Sequence, residues 1–159
     1  MKEIEECRLC KGEDLLEVLN LGNQVLTGIF PDSKENEITK GPLVLVWCNH
    51  CNLLQLKHRY DPNEMYGENY GYRSGLNSMM VEHLRTKVES LVRLYPLDTD
   101  DAVLDIGSND GTLLKAYQQS DIRRVGVDPT GEKFSEYYCD GITLIPDFFS
   151  ADTIGSKLS

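Results

Sequence analysis

The sequence predicts a mixed α/β chain in two parts. A small, β-rich, ribbon-like domain built on cysteine knuckles is followed by the first half of an open parallel sheet. Three observations predict this. Two C-x-x-C pairs, Cys7-Arg-Leu-Cys10 and Cys48-Asn-His-Cys51, lie in the first third of the 159 residues. Val103-Leu-Asp-Ile-Gly-Ser-Asn-Asp-Gly111 runs an apolar strand into a glycine turn, and Thr112-Leu-Leu-Lys-Ala-Tyr117 then opens a helix. A second apolar strand, Arg124-Val-Gly-Val-Asp128, ends on a carboxylate 21 residues after Gly107.

Residues 1–60 are read as the knuckle domain. Leu19-Asn-Leu-Gly22 and Gly28-Ile-Phe-Pro31 are strand or turn pieces, and the stretch from Asp32 to Ile38 is a polar loop. Pro42-Leu-Val-Leu-Val-Trp47 is a strand entering the second knuckle, and Leu53-Leu-Gln-Leu56 is the strand leaving it. Two knuckles present four thiolates, Cys7, Cys10, Cys48 and Cys51, which suit a tetrahedral S4 zinc site with no open position, hence a structural one. The 37 residues between the pairs exceed the usual roughly 15–20. A longer loop adds little closure entropy, so the spacing does not forbid the site. His50 and His58 are substitute ligands, but the paired cysteines are the simpler set. Two disulfides or a redox C-x-x-C are the competing readings. The charged start Met1-Lys-Glu-Ile-Glu-Glu is no secretory leader, and a redox motif is single and sits on a βα unit, so zinc in a reducing, cytoplasmic compartment is expected.

Residues 61–100 are read as a bridge. Tyr60, Tyr66, Tyr70 and Tyr72 cluster around Gly67, Gly71 and Gly75. Leu76, Met79, Met80, His83, Leu84, Val88, Leu91 and Tyr95 then recur at helical spacing, and the helix is expected to end near Pro96. His83, Met79 and Met80 are expected in its packed face. Residues 101–159 alternate strand and helix: Ala102–Ile106, Thr112–Gln119, Val125–Asp128, Glu132–Cys139 and Ile142–Phe148, with a further helix opening at Ala151. Cys139, after Tyr137-Tyr138, is read as a buried packing residue.

The glycine turn is a ligand cradle. Glycines allow close backbone approach, and the free N–H groups of the helix start face the ligand. A dinucleotide pyrophosphate wants G-x-G-x-x-G, but Asn109 and Thr112 occupy the second and third glycine positions, which makes a dehydrogenase a distant reading. The pattern is D-x-G-x-x-x-G, beginning at Asp105. A carboxylate at Asp128 can accept hydrogen bonds from both hydroxyls of a ribose.

These motifs resemble the first motif of the class I S-adenosylmethionine-dependent methyltransferases. In order, the cysteine knuckle, the L-x-L-G…F-P stretch, P-L-V-L-V-W-C-N-H-C-N-L-L-Q-L, Y-G-E-N-Y-G-Y-R-S-G and V-L-D-I-G-S-N-D-G-T-L-L resemble the N-terminal half of the zinc-containing sugar C-methyltransferases over residues 7–150. Asn52 stands where that family commonly has glycine, and asparagine tolerates the left-handed turn required. The resemblance implies a Rossmann-like sheet present here as its first, incomplete half. The family's main acid/base residues, remaining strands and C-terminal substrate domain are then expected beyond Ser159. It implies S-adenosylmethionine as cofactor, with Asp105, Gly107, Asn109 and Gly111 at the turn, Asp128 on the ribose and Asp147 at the adenine amino group. Asp105 reads equally as a turn residue, and Asp147 as a solvated loop residue. It implies a nucleotide-linked keto sugar as substrate, lined by Tyr70, Tyr72, Arg73 and Ser74, with Tyr72 the hydroxyl nearest the reaction. The tyrosines serve equally well as packing between bridge and knuckle domain.

A formal charge of −10 argues against nucleic acid or an anionic membrane as partner, and no apolar run approaches the ~20 residues of a membrane span. A half sheet leaves an unpaired edge, so the chain is expected either to fold poorly alone or to dimerise across that edge. The alternative from another class is a non-catalytic zinc-bearing binding or assembly module.

Overall fold

The computed structural model describes residues 1–26, 31, 33–67, 70–119 and 121–158. Residues 28–30 of the Gly28–Pro31 stretch, Asp32 of the polar loop, and Glu68 and Asn69 of the tyrosine segment lie outside the described residues. The chain forms two compact units, Met1–Gly71 and Tyr72–Ser159, which divide the tyrosine segment between them.

The first unit is antiparallel. Strand β1 (Lys2–Glu3) precedes the first knuckle, followed by β2 (Leu15–Val25), β3 (Lys40–Cys48), β4 (Leu54–Leu56), β5 (His58–Arg59) and a short helix α1 (Pro62–Tyr66). The sheet order is β2-β3-β4, with β1 paired to β5. Leu15 lies opposite Cys48, and Val46 opposite both Glu17 and Gln55. Val44, Val46 and Cys48 alternate inward along β3, where Ile4, Val44 and Val46 form the core with Leu15 against it. Asp61 caps α1 by accepting from the Asn63 N–H, and Pro62 supplies the preset φ at the first helical position.

The second unit holds α2 (Ser78–Leu94), β6 (Ala102–Ile106), α3 (Thr112–Lys115), β7 (Arg123–Val127), β8 (Ile142–Ile145) and α4 (Ala151–Leu158). Strands β6, β7 and β8 pair in parallel in that order. Val103 packs with Val88 and Val92 of α2, Leu113 of α3, and Tyr117, Ile122 and Leu97 on one face. Val125, Val127 and Ile145 meet Ile154 of α4 on the other. Asn77 caps α2, its side chain accepting from the Met79 and Met80 N–H groups.

Several local expectations are corrected. The 132–139 segment is turns with one short 3-10 stretch, Ser135–Tyr137, instead of a helix. Lys115 ends α3, whose Tyr117 N–H bonds back in 3-10 fashion to Leu114, and β8 ends at Ile145 before Pro146. Cys139 is exposed. Met79 is 80% exposed and His83 is exposed, because the packed side of α2 is carried by Val88 and Val92.

Candidate metal centre and cofactor turn

The two knuckles are built alike. In each, the N–H four residues after the first cysteine bonds back to that cysteine's carbonyl: Lys11 to Cys7 at 3.1 Å and Asn52 to Cys48 at 2.9 Å. In each, the first cysteine's N–H reaches the carbonyl five residues on, Cys7 to Gly12 and Cys48 to Leu53. Closing the loop this tightly demands positive φ after the second cysteine, and Lys11 and Asn52 adopt 65° and 63°. Asn52 thus makes the turn expected of it.

The hairpin β2–β3 brings the knuckles together, and all four sulfurs lie within 4.8 Å of one another. Cys7 Sγ is 3.6 Å from Cys51 Sγ, and Cys10 Sγ is 3.6 Å from Cys48 Sγ. A tetrahedral zinc with Zn–S near 2.3 Å separates its sulfurs by about 3.8 Å, so the donor set fits. The electrostatics ask for a cation. The Cys10 backbone N–H and other donors hold the Cys7 thiol down at about 6, against burial. At Cys51 the Leu53 N–H lowers the pKa, but burial and the neighbouring thiols win and push it up to about 12. Four thiolates at this spacing need a positive centre to ionise together.

Sequence reasoning missed Gln55. It is buried, its Nε2 donates to Cys7 Sγ at 3.2 Å, and its Oε1 accepts from the Arg8 N–H at 3.1 Å. The lone polar side chain in Leu54-Gln55-Leu56, at the inward position of β4, is the signal for it. Neither histidine joins the cluster. The His50 ring packs beside Gly12, where a Cβ would stand 2.6 Å from it, and His58 faces Glu3 at 3.9 Å.

In the second unit, β6 runs into a turn with three successive departures to positive φ: Gly107 at 78°, Asn109 at 52° and Gly111 at 70°. A Cβ on Gly107 would meet nothing within 4 Å, so open space faces the backbone at the carboxyl end of β6. That is where a cofactor cradle belongs, and the geometry fits the expected group there. Asp128, at the end of β7, is buried. Its Oδ2 accepts from the Asn109 N–H at 2.8 Å, and its Oδ1 from the Thr130 N–H at 2.7 Å and hydroxyl at 2.5 Å. It therefore ties the turn to the neighbouring strand. Asp105 shares the Val103 face of β6. Burial, then the Asp128 charge, hold its carboxyl above the usual carboxylate range despite Lys87. Asp147 is exposed and accepts from the Phe148 N–H. Tyr138, another residue the sequence did not flag, donates to the Asn109 carbonyl at 2.9 Å and lies 2.8 Å from Ser108 Oγ. Burial pushes its phenol up to about 12.

The residues before α2 return to this turn. Ser74 N–H donates to Asn109 Oδ1 at 2.9 Å, and Asn109 Nδ2 donates to the Tyr72 carbonyl at 3.0 Å. Arg73 lies 3.8 Å over the Tyr137 ring with Nη1 3.4 Å from Asp110 Oδ2. The Tyr72 side chain is 43% exposed. Tyr70 falls in the first unit, where its ring is 5.8 Å from that of Tyr66.

The comparisons with known proteins agree with the cysteine geometry. Residues 7–66 match the family described as "Putative zinc binding domain", and the whole chain is homologous to a methyltransferase. The family match spans both cysteine knuckles. The chain is 30% identical over 161 aligned positions to C-methyltransferase NovU of Streptomyces niveus. The alignment takes in 100% of this chain and 38% of that relative's length. Among the described residues no helix is long and apolar enough to cross a membrane.

Proposed function

We propose that the Gly107–Gly111 turn binds S-adenosylmethionine, and that the chain is the cofactor-binding part of an enzyme methylating a carbon of a nucleotide-linked keto sugar. One observation carries the reading: a left-handed glycine faces open space at the carboxyl end of β6, beside a strand that Asp128 follows. Ligands of open α/β sheets sit at that end of the strands. The order β6-β7-β8 is what the first half of a Rossmann-like sheet requires.

When bound, S-adenosylmethionine supplies a methyl group on a sulfonium centre. This chain's residues then hold and orient. Gly107, Asn109 and Gly111 shape the cradle, and Asp128 keeps further lone pairs for the ribose hydroxyls while anchoring the turn. Asp105, raised by burial and a neighbouring carboxylate, favours a cationic ligand. Asp147 stands at the end of β8, where an adenine amino group would reach. A sugar carbon beside its carbonyl becomes nucleophilic when a base takes its proton, and Tyr72 is the exposed hydroxyl offered from this chain. Ser74 and Arg73 hold the Tyr72 segment to the turn. Zinc at Cys7, Cys10, Cys48 and Cys51 holds the first unit's fold and takes no part in the chemistry. A cytoplasmic setting keeps those thiols reduced.

Native mass spectrometry with and without S-adenosylhomocysteine tests this. One zinc and one nucleoside per chain are expected. Zinc without nucleoside favours the second reading, a zinc-bearing binding module. That reading draws on an apolar face of the β2-β3-β4 sheet, where Leu16, Trp47 and Leu54 lie side by side beside Leu19, Leu45 and Leu56. The four outer leucines there are 40–55% exposed.

A further inference from the structure

We propose that Asn109 and Asp110 are positioning residues that tie the cofactor turn to the Tyr72–Gly75 segment, so that a ligand ordering the turn also orders the segment carrying Tyr72. The inference rests on the cofactor reading above and adds a coupling to it. Asp110 is fully buried, and its two oxygens do different work. Oδ1 accepts from the Thr112 hydroxyl at 2.6 Å and the Thr112 N–H at 3.2 Å, which holds the first residue of α3. Oδ2 accepts from the Gly75 N–H at 2.9 Å and faces Arg73 Nη1. Holding Thr112 needs only the first oxygen. The second spends a buried carboxylate on a backbone N–H 35 residues away, with all of α2 between.

Asn109 repeats the pattern one residue earlier. Its side chain accepts from Ser74 and donates to Tyr72, while its own N–H is held by Asp128. Two consecutive turn residues thus hold Tyr72, Ser74 and Gly75 through their backbone groups, and Arg73 through its side chain. Gly75 is required for the approach, since a Cβ there would stand 2.6 Å from Asp110 Oδ2. The Arg73 guanidinium, stacked on Tyr137 and paired with Asp110, pins the segment from its other side. Binding at the turn and order in the segment therefore share one hydrogen-bond network, and linkage makes the coupling reciprocal.

The test is amide hydrogen exchange on the zinc-loaded full chain, with and without S-adenosylhomocysteine. Ligand is expected to slow exchange at Ser74 and Gly75 by about tenfold, the weight of one charge-assisted hydrogen bond. By reciprocity, Asp110→Asn, which sets an amide N–H against the Gly75 N–H, abolishes that slowing and lowers ligand affinity by a matching factor. Should that variant fold poorly, Asn109→Gly keeps the positive φ and deletes the Ser74 and Tyr72 bonds, with loss of slowing at Ser74 expected. Binding that protects residues 107–111 but leaves Ser74 and Gly75 unchanged overturns the coupling and leaves the cofactor reading standing. Absence of binding overturns the cofactor reading itself, and the coupling with it.

Discussion

Asp105 shows how a single half-buried carboxyl works against stability at neutral pH. Its raised pKa means that the folded chain holds this proton more tightly than the unfolded chain does. The carboxyl is then most favourable in acid, and its contribution falls as pH rises through the raised value. Asp105→Asn is expected to raise the melting temperature at neutral pH, with the gain shrinking toward about pH 4, where the unfolded carboxyl also protonates. Melting curves of both chains across that range check the sign. On the proposed cofactor reading, the same substitution is expected to weaken binding of a cationic ligand, which calorimetry reads directly. Gly107 poses the complementary case. Gly107→Ala forces an alanine into φ near 78° at a cost of roughly 1–2 kcal/mol. The new methyl meets no protein atom. Denaturant unfolding should show that loss and no more, while S-adenosylhomocysteine binding disappears because the methyl fills the cradle.

At the scale of elements, α2 rests on two separate devices, its cap and one buried stripe. Asn77→Ala removes the side chain that accepts from two N–H groups, and about 1 kcal/mol of stability should go with it. Val88 is 2% exposed against Tyr117 and Ile122, so Val88→Ala should cost about 2 kcal/mol. His83→Ala, on the uncovered side, should stay within about 0.5 kcal/mol. Denaturant midpoints of the three variants rank these causes. Strand β6 carries a different tension. Leu104 is 41% exposed and Ile106 56% exposed on the face shared with α4, and among the described residues β6 pairs on one side only. We propose that this edge drives association between copies, which sedimentation across a concentration series would reveal as a shift from monomer to dimer.

The chain forms two units with separate cores, and among the described residues the four-cysteine cluster that fits zinc lies in the first. Structural zinc in small domains contributes on the order of 10 kcal/mol. A strong chelator is therefore expected to unfold Met1–Gly71 and leave the parallel sheet of the second unit intact. Amide exchange should rise throughout β3 and β4 while β7 remains protected. Acid should do the same as protons displace the metal from its thiolates. Unfolding of both units together would show that the second depends on the first.

The sequence by itself determined the features that are local. A C-x-x-C knuckle closes within five residues, and a strand–glycine–helix turn within nine, so spacing and residue type suffice to pick out the four clustered cysteines and to place the glycine turn at Gly107–Gly111. Asn52 was readable for the same reason, because positive φ is a property of one residue and its neighbours. Tertiary structure alone decided what depends on distant partners. Gln55 reaches Cys7 across a strand pair, Asp128 serves the Asn109 N–H, and Asp110 meets Gly75 from the far side of α2. The helix expected at 132–139 failed because turn contacts won there over periodicity: Tyr138 bonds to the glycine turn, and Lys115 caps the Tyr137 carbonyl. His83 and Met79 were misplaced because a periodic stripe states which face is apolar, and only packing partners state how much of it is covered.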